Sequence, residues 1–156
     1  MSHFWEMEVI NGPLDALHGE KVSVGTMLVL EEYKRIAKAI SEKRCKVTEY
    51  KNSDEELLQE TFGKKGILEK IRKENEPELL LEVQLERLKE CLSEIAEIIE
   101  KLPEPEEMKA LLEKAGCRRS LNDIGLSDKD KELSLRLSPY VRRRLTLMRV
   151  SKMLEI

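Results

Sequence analysis

Apolar residues recur at a helical period through most of this sequence, and no run alternates apolar and polar residues for long enough to predict a strand. Charged residues make up 38% of the chain and aromatic residues 4%, so the core must consist mainly of Leu, Ile and Val. A length of 156 residues is typical of a single domain. The pattern therefore predicts one all-α domain, an irregular bundle of about seven or eight helices.

Turn and capping residues set the expected helix bounds. A first helix should end at the turn Asn11–Pro13, which would fold it back so that Trp5 and Leu17 meet. Ser53 and Glu56 have the spacing of a capping box at the start of a short helix. The other predicted helices cover about 17–43, 67–75, 78–102 and 105–116, with helix starts at Ser120 and Ser127 and one or two helices after Ser138.

The most apolar stretch, Val22–Leu30, predicts that the first half of the second helix is buried. This stretch is far shorter than the ~20 residues of a membrane-spanning helix, and no basic segment precedes an apolar run as in a signal peptide. The three cysteines, Cys45, Cys91 and Cys117, form no C-x-x-C pair and are typical of reduced thiols. We therefore expect a cytoplasmic protein without a membrane segment.

Both histidines, His3 and His18, lie near the beginning of the chain, on either side of the predicted turn. The residues alone leave two interpretations open. In the first, His3 is a frayed terminal residue and His18 is satisfied by backbone groups at a helix start. In the second, the two imidazoles belong to a catalytic metal site, which usually has three protein ligands and one open position. At least one further ligand would then come from elsewhere. The predicted turn should bring the rings of His3 and His18 to face a common space, with His18 at a surface concavity.

The segment LHGEKVSVGT around His18 resembles the HGE-x-V-x-x-G segment of the iron-containing alcohol dehydrogenase and dehydroquinate synthase superfamily. Lys21 and Thr26 look more like the glycerol dehydrogenase and glycerol-1-phosphate dehydrogenase branch, whose Ser-His-x-x-Glu element is matched by SHFWE from Ser2. The stretches LLEKAGCRRSLNDIGLS and SPYVRRRLTLM look like the last helices of that branch. The resemblance is strong at the beginning of the chain and loose through Lys43–Glu104.

This resemblance implies the C-terminal helical domain of a two-domain, dehydroquinate synthase-like enzyme, with a divalent metal (zinc, iron or nickel) and the substrate between the domains. Carried over, His18 matches a metal ligand, His3 a site-lining residue, and Lys21 a residue that orients a phosphate or diol or simply ends a helix. Glu6 and Glu20 are alternative acceptors for the other nitrogen of His18, or plain surface carboxylates. The family's two other ligands and its NAD(P)-binding domain have no counterpart here and are expected before Met1.

We therefore expect residues 1–156 to be the metal- and substrate-binding domain, as a fragment or a split half, of an NAD(P)-dependent polyol or polyol-phosphate dehydrogenase resembling glycerol-1-phosphate dehydrogenase. The sequence has no G-x-G-x-x-G turn, so no residue is assigned a catalytic or cofactor-binding role and the chain alone should be inactive. Expected partners are a small polyol or polyol phosphate, a separate nucleotide-binding chain, and a second copy of the chain through an exposed apolar patch. The alternative is a catalytically inactive helical interaction or scaffold protein derived from the same family.

A basic segment near the end of the chain contains Arg118–Arg119 and Arg142–Arg144. A nucleic-acid surface would use such residues for phosphates and would often interleave aromatic rings, but only Tyr140 is available. The net charge of the chain is −3. An ion-paired or solvated helix face is therefore favoured over nucleic-acid or phosphate binding.

Overall fold

The computed structural model describes all residues from Met1 to Ile156 and confirms the predicted all-α fold. The only sheet is one antiparallel pair of two-residue strands. The helices are α1 (Ser2–Glu6), α2 (His18–Ser41), α3 (Glu55–Phe62), α4 (Leu68–Glu74), α5 (Leu85–Glu100), α6 (Pro105–Lys114), α7 (Lys129–Leu137) and α8 (Leu147–Val150). Single 3₁₀ turns cover Gly63–Lys65, Leu79–Glu82, Asn122–Ile124, Ser138–Val141 and Ser151–Met153.

Helix α2 is the longest element and packs against α1, α5, α6 and α7. Its first turn is capped locally, because the Glu20 carboxylate accepts a hydrogen bond of 2.8 Å from the backbone N–H of Leu17. Beyond Ser41 the chain leaves the helix, and Lys43 adopts a positive φ of 56°. These bounds agree with the predicted helix over about 17–43.

The main core lies where α1 and the first half of α2 meet α3, α4 and the segment from Leu121 to Val141. Phe4 and Phe62 pack edge to face with ring centroids 5.9 Å apart. The Trp5 indole N–H donates a buried hydrogen bond of 2.9 Å to Ser134 Oγ. Two smaller clusters lie beside the second half of α2 and around Leu80.

The expected contact between Trp5 and Leu17 is wrong. Leu17 precedes α2 with extended backbone angles, and its side chain is 75% exposed. Trp5 instead packs two turns further along α2, beside Gly25, where a Cβ atom would lie 3.8 Å from the indole ring and 2.9 Å from Met1 Cβ. The absence of a side chain at Gly25 therefore lets α1 lie close against α2.

Most of the stretch Val22–Leu30 is buried, as predicted, with Val24, Leu28 and Leu30 in contact with the core. Val22 and Thr26 are exceptions, and Val22 is 43% exposed. These two residues are four apart and share one helix face, which no other element covers. The prediction of a buried segment therefore holds for the stretch as a whole, with Val22 and Thr26 as its exceptions.

The predicted single helix over 78–102 is also wrong. Residues Leu79–Glu82 form a 3₁₀ turn, Val83 and Gln84 are extended, and α5 begins only at Leu85. Glu78 caps the turn, because its carboxylate accepts from the Leu80 N–H, and Leu80 itself is buried. The residues around the break thus place Leu80 in the core.

A buried polar cluster joins the end of the chain to its middle. Arg149 is fully buried and donates to both carboxylate oxygens of Glu78, at 2.7 and 2.9 Å, and to Asn75. The Tyr140 ring lies beneath two cations, with Arg149 and Lys152 4.9 and 4.7 Å from its centroid. This cluster anchors the segment after α7 to the residues that precede α5.

Asp54 belongs to the same cluster and shows why the predicted capping box does not form. Asp54, not Ser53, directly precedes α3, and its carboxylate accepts from Arg136 at 2.6 Å, from Tyr140 at 3.0 Å and from Lys152. Burial favours the neutral acid, but these hydrogen bonds outweigh it, so the pKa of Asp54 lies below its ordinary value.

The strands β1 (Lys46–Val47) and β2 (Leu154–Glu155) pair antiparallel, with Val47 opposite Leu154. Met153, just before β2, is buried against Leu80 and Leu88. The pair therefore fastens the last residues of the chain to the loop after α2. None of the helices combines the length and apolar character needed to cross a membrane.

Candidate metal centre

Three side chains from α1 and the first turn of α2 converge at the surface. Glu6 lies between the two histidines: His18 Nδ1 is 2.7 Å from Glu6 Oε1, and His3 Nδ1 is 3.1 Å from Glu6 Oε2. The two imidazole centroids are 5.5 Å apart. One potential ligand atom from each of the three residues lies within 4.8 Å of the others. The fold therefore brings both histidines to one place, with a carboxylate between them.

The carboxylate determines which imidazole nitrogens carry hydrogen. Because a carboxylate can only accept, each Nδ1 donates to Glu6, and each Nε2 keeps its lone pair when the ring is neutral. The pKa of Glu6 lies below its ordinary value, chiefly because of the hydrogen bond from His18; burial opposes this shift and His3 adds to it. Glu6 is therefore ionised at neutral pH and holds both rings in the same tautomer.

The two Nε2 atoms have different surroundings. His3 Nε2 lies 3.5 Å from Arg142 Nη2, whereas His18 Nε2 has no hydrogen-bond partner in the protein. The side chains of His3 and His18 are 52% and 57% exposed. Neither histidine is thus satisfied by backbone groups, and His18 is not a core residue.

Lys21 and Glu20, the other residues singled out in the sequence, have different partners near this cluster. Lys21, one turn after His18, is buried, and its charge contributes to lowering the pKa of Glu6. Glu20, the alternative acceptor for His18, instead binds the Leu17 backbone and pairs with Arg118 at 3.0 Å. Glu6 is therefore the acceptor, and its position three residues after His3 on one helix face is the sequence signal for it.

The basic segment is ion-paired in part only. Every arginine except Arg142 and Arg144 has a carboxylate oxygen within 4.0 Å. The prediction of an ion-paired face therefore holds for Arg118 and Arg119, which pair with Glu20 and Glu113. Arg142 and Arg144, which we call the arginine pair, are exposed and match the solvated form of the prediction, although they lie in a segment outside the helices.

A cavity of about 520 Å³ lies beside the histidines, and we call it the basic cavity. His3 and Glu6 line it, but His18 does not, so the surface concavity predicted at His18 lies next to it instead. The remaining lining residues are Met7, Lys70, Ile71, Glu74, Val141, Arg142, Arg143 and Arg144. A second cavity of about 340 Å³ shares His3, Val141, Arg142 and Arg144 with the first.

A shallow apolar groove of about 400 Å³ lies on the other side of Met1. It runs between the exposed face of α2 and the start of α6, and Val22, Leu102 and Met108 line it. This groove is the exposed apolar surface near the histidines.

Comparison with known proteins gives three related matches. The glycerol-1-phosphate dehydrogenases [NAD(P)+] of Geobacillus stearothermophilus and Geobacillus thermodenitrificans are each 29% identical to the chain over 150 residues. The corresponding protein of Halalkalibacterium halodurans is 28% identical over 151 residues. Each match covers 95% of this chain. No family model and no solved structure matches the chain.

The matches cover nearly all of this chain but only part of each relative. The chain spans about 30% of the length of the curated relatives it matches. The chain is therefore a distant, partial-length relative of the glycerol-1-phosphate dehydrogenases.

Proposed function

We propose that this chain is the metal- and substrate-binding helical unit of a metal-dependent polyol or polyol-phosphate dehydrogenase similar to glycerol-1-phosphate dehydrogenase. The observation that carries the proposal is the convergence of His3, Glu6 and His18 on one surface. The similarity to three proteins that bear that enzyme's name supports it.

The donor chemistry of this cluster fits a divalent metal such as zinc, iron or nickel. Imidazole nitrogen and carboxylate oxygen are ligands that all three metals accept. His18 would hold the metal through Nε2, its uncommitted nitrogen, while Glu6 fixes the ring through Nδ1–H, as carboxylates commonly do behind metal-bound histidines. When bound, the metal supplies Lewis-acid polarisation of a substrate hydroxyl group.

The residues of the chain would contribute orientation and charge. The ionised Glu6 carboxylate keeps each Nδ1 protonated, so that neutral His18 presents a lone pair to the surface. His3 would line the substrate site, because it contacts both the glutamate and the adjoining basic cavity. Lys21, buried one turn from His18, would add positive charge where an anionic or polyhydroxylated substrate binds.

A complete enzyme of this kind needs more than these residues. Catalytic zinc sites usually have three protein ligands, and hydride transfer needs a nucleotide-binding fold. We place the remaining ligands and the NAD(P) site in a nucleotide-binding unit outside residues 1–156, in the same polypeptide or in a separate one. The free thiols of Cys45, Cys91 and Cys117 support a reducing compartment, such as the cytoplasm, as its location.

Metal titration of the purified chain tests the proposal. Isothermal titration with Zn²⁺ should detect one weak site, because water must replace the ligands that a partner unit would provide. His18→Ala should abolish this binding. Glu6→Gln should weaken it by about 10- to 100-fold, since a neutral amide orients the imidazole poorly. Glu8→Gln, which removes an exposed carboxylate two residues away, should leave the affinity unchanged.

Two outcomes would contradict the proposal. Zinc binding that His18→Ala leaves intact would show that the metal binds elsewhere. No zinc binding at millimolar concentrations would favour the alternative, a helical interaction or scaffold protein without metal chemistry.

A further inference from the structure

Within one copy of the chain, the candidate metal centre has a single uncommitted imidazole nitrogen. Glu6 accepts from His18 Nδ1 at 2.7 Å, and His18 Nε2 has no hydrogen-bond partner in the protein. His3 Nε2 instead lies 3.5 Å from Arg142 Nη2. A zinc ion usually takes four ligands, so one free nitrogen leaves most of its coordination to groups outside this copy. A second copy of the chain would supply another imidazole of the same kind.

Exposed apolar side chains lie around this free nitrogen. Leu17, which directly precedes His18, is 75% exposed, and Val22, four residues after His18 on the same helix face, is 43% exposed. Leu111, in the last turn of α6, is 60% exposed. We call Leu17, His18, Val22 and Leu111 the α2 patch. Large apolar side chains that are exposed as a group, rather than singly, mark an interaction surface.

Contacts at both ends of α6 place Leu111 beside the start of α2. Lys34 donates to Glu104, just before α6, at 2.6 Å. Beyond the other end of α6, the Arg118 carbonyl accepts a hydrogen bond of 2.6 Å from Ser23 Oγ. Helix α6 therefore runs antiparallel to α2, and its last turn lies next to the first turns of α2. No residue of α6 is buried, so its apolar side chains are only partly covered within one copy.

The charges beside the α2 patch are compensated within the chain. Glu20 pairs with Arg118 at 3.0 Å, and Lys21 is buried. The patch thus has no excess charge that would select a strongly acidic or basic partner. A net charge of −3 per copy also causes little long-range repulsion between two copies at physiological salt. An apolar centre with polar groups at its rim is the usual composition of a protein–protein interface.

Two-fold symmetry would supply the ligand that one copy lacks. In a two-fold dimer both copies use the same surface, and residues close to the axis meet their own counterparts. One free nitrogen on each copy then becomes two nitrogens at one point. We infer that two copies of this chain associate through the α2 patch, with the two His18 Nε2 atoms binding one zinc ion across the interface. The inference rests on the metal-binding part of the proposed function and adds a partner to it.

Zinc binding and association must then strengthen each other. A metal ion that binds the dimer more tightly than the monomer stabilises the dimer by the same factor. The α2 patch has only three large apolar side chains, so the chain without metal should be mainly monomeric in dilute solution. The apparent zinc affinity should accordingly rise with the concentration of the chain, because a second His18 replaces water on the metal.

Sedimentation velocity tests this inference without an activity assay. The 156-residue chain is measured over a range of concentrations with a chelator and with Zn²⁺. We expect a monomer with the chelator and a dimer with Zn²⁺, and titration at high chain concentration should saturate at one zinc ion for two chains. His18→Ala should remain monomeric at every zinc concentration, since its imidazoles are the ligands that join the copies.

Two lysine substitutions of equal character test the α2 patch itself. Leu111→Lys places a charge in the proposed interface and should weaken zinc-induced dimerisation by about tenfold or more. Ile98→Lys changes a side chain of α5 that is 56% exposed and lies outside the patch, so it should change dimerisation less than about twofold. Both positions are exposed, so both variants should fold, which circular dichroism checks.

The possible outcomes separate this inference from the proposed function. Zinc bound through His18 at one ion per monomer at every chain concentration would overturn the inference and leave the proposed function intact. A dimer that forms equally well without zinc, or that Leu111→Lys and Ile98→Lys weaken equally, would also overturn the inference alone. Zinc-induced oligomers larger than a dimer would contradict it too, because a two-fold contact is closed after two copies. Loss of all His18-dependent zinc binding would overturn both.

Discussion

Asp54 and Glu6 are both ionised carboxylates with lowered pKa values, yet their surroundings give them different roles. Asp54 is buried and accepts hydrogen bonds from Arg136, Tyr140 and Lys152, so its charge stabilises the fold. Glu6 is partly exposed, and its partners are two histidines, of which His18 keeps its other nitrogen without a partner in the protein. Asp54, whose partners are all protein groups, has a structural role. The candidate site is instead marked by a polar atom that has no hydrogen-bond partner in the protein.

Stability should depend on pH through Asp54. Its folded-state pKa is lowered, so its contribution is present above the ordinary pKa of an aspartic acid, about pH 4, and is lost as pH falls through the folded-state value. Urea unfolding at pH 7 should show Asp54→Asn to be less stable by about 3 kcal/mol, and the difference should shrink at pH 3.

The exposed Asp15 provides the matched control, because Asp15→Asn removes a carboxylate without removing buried partners. Its unfolding free energy should stay within about 0.5 kcal/mol of the unmodified chain at both pH values. An Asp54→Asn difference that is equal at pH 7 and pH 3 would show that ionisation of this residue does not stabilise the fold.

Among the elements, the sequence predicted the bounds of those helices whose ends are determined by residues nearby in the chain. The bounds of α2, α4 and α6 lie within about two residues of those expected from capping residues, glycine and proline. The break before α5 could not be predicted in this way, because it depends on Glu78 binding Arg149, 71 residues later in the chain. The position of Asp54 likewise depends on distant partners.

The candidate site, like the helices, could be predicted only in part from the sequence. A turn between His3 and His18 was enough to predict that their rings face a common space. The arginine pair was not predictable, because only the tertiary structure shows which arginines of a basic segment reach a carboxylate.

The close contact of α1 with α2 at Gly25 can be tested by adding one methyl group. Gly25→Ala places a Cβ atom 2.9 Å from Met1 Cβ, so α1 must shift, and we expect a loss of about 1–3 kcal/mol despite the better helix propensity of alanine. Gly19→Ala in the same helix meets no atom within 4 Å and should be neutral or stabilising by up to about 1 kcal/mol. Thermal or urea unfolding measures both, and equal effects of the two substitutions would refute a packing role for Gly25.

In the molecule as a whole, the candidate metal centre and the basic cavity lie side by side and share His3 and Glu6. Regular structure outside the helices is limited to two short strands. Residues 1–156 thus place imidazole, carboxylate and guanidinium groups side by side in a fold without the strand, glycine-rich turn and helix that hold a dinucleotide pyrophosphate.

The purified 156-residue chain should accordingly show no dehydrogenase activity with glycerol, glycerol phosphate or related polyols and either nicotinamide cofactor. The assay follows the nicotinamide absorbance with Zn²⁺, Fe²⁺ or Ni²⁺ added in excess. Metal-dependent turnover by this chain alone would show that residues 1–156 contain a complete active site.

The buried polar cluster also imposes an order on biosynthesis. A ribosome delivers Asp54 and Glu78 long before Lys152 and Arg149, the cations that neutralise them in the finished core. Until that segment emerges, Glu78 lacks the cation it pairs with and Asp54 has only Arg136, so burying both carboxylates carries a large desolvation cost. The nascent chain therefore cannot complete its core in stages from the N-terminus, because the closing step of folding must wait for residues 149–152.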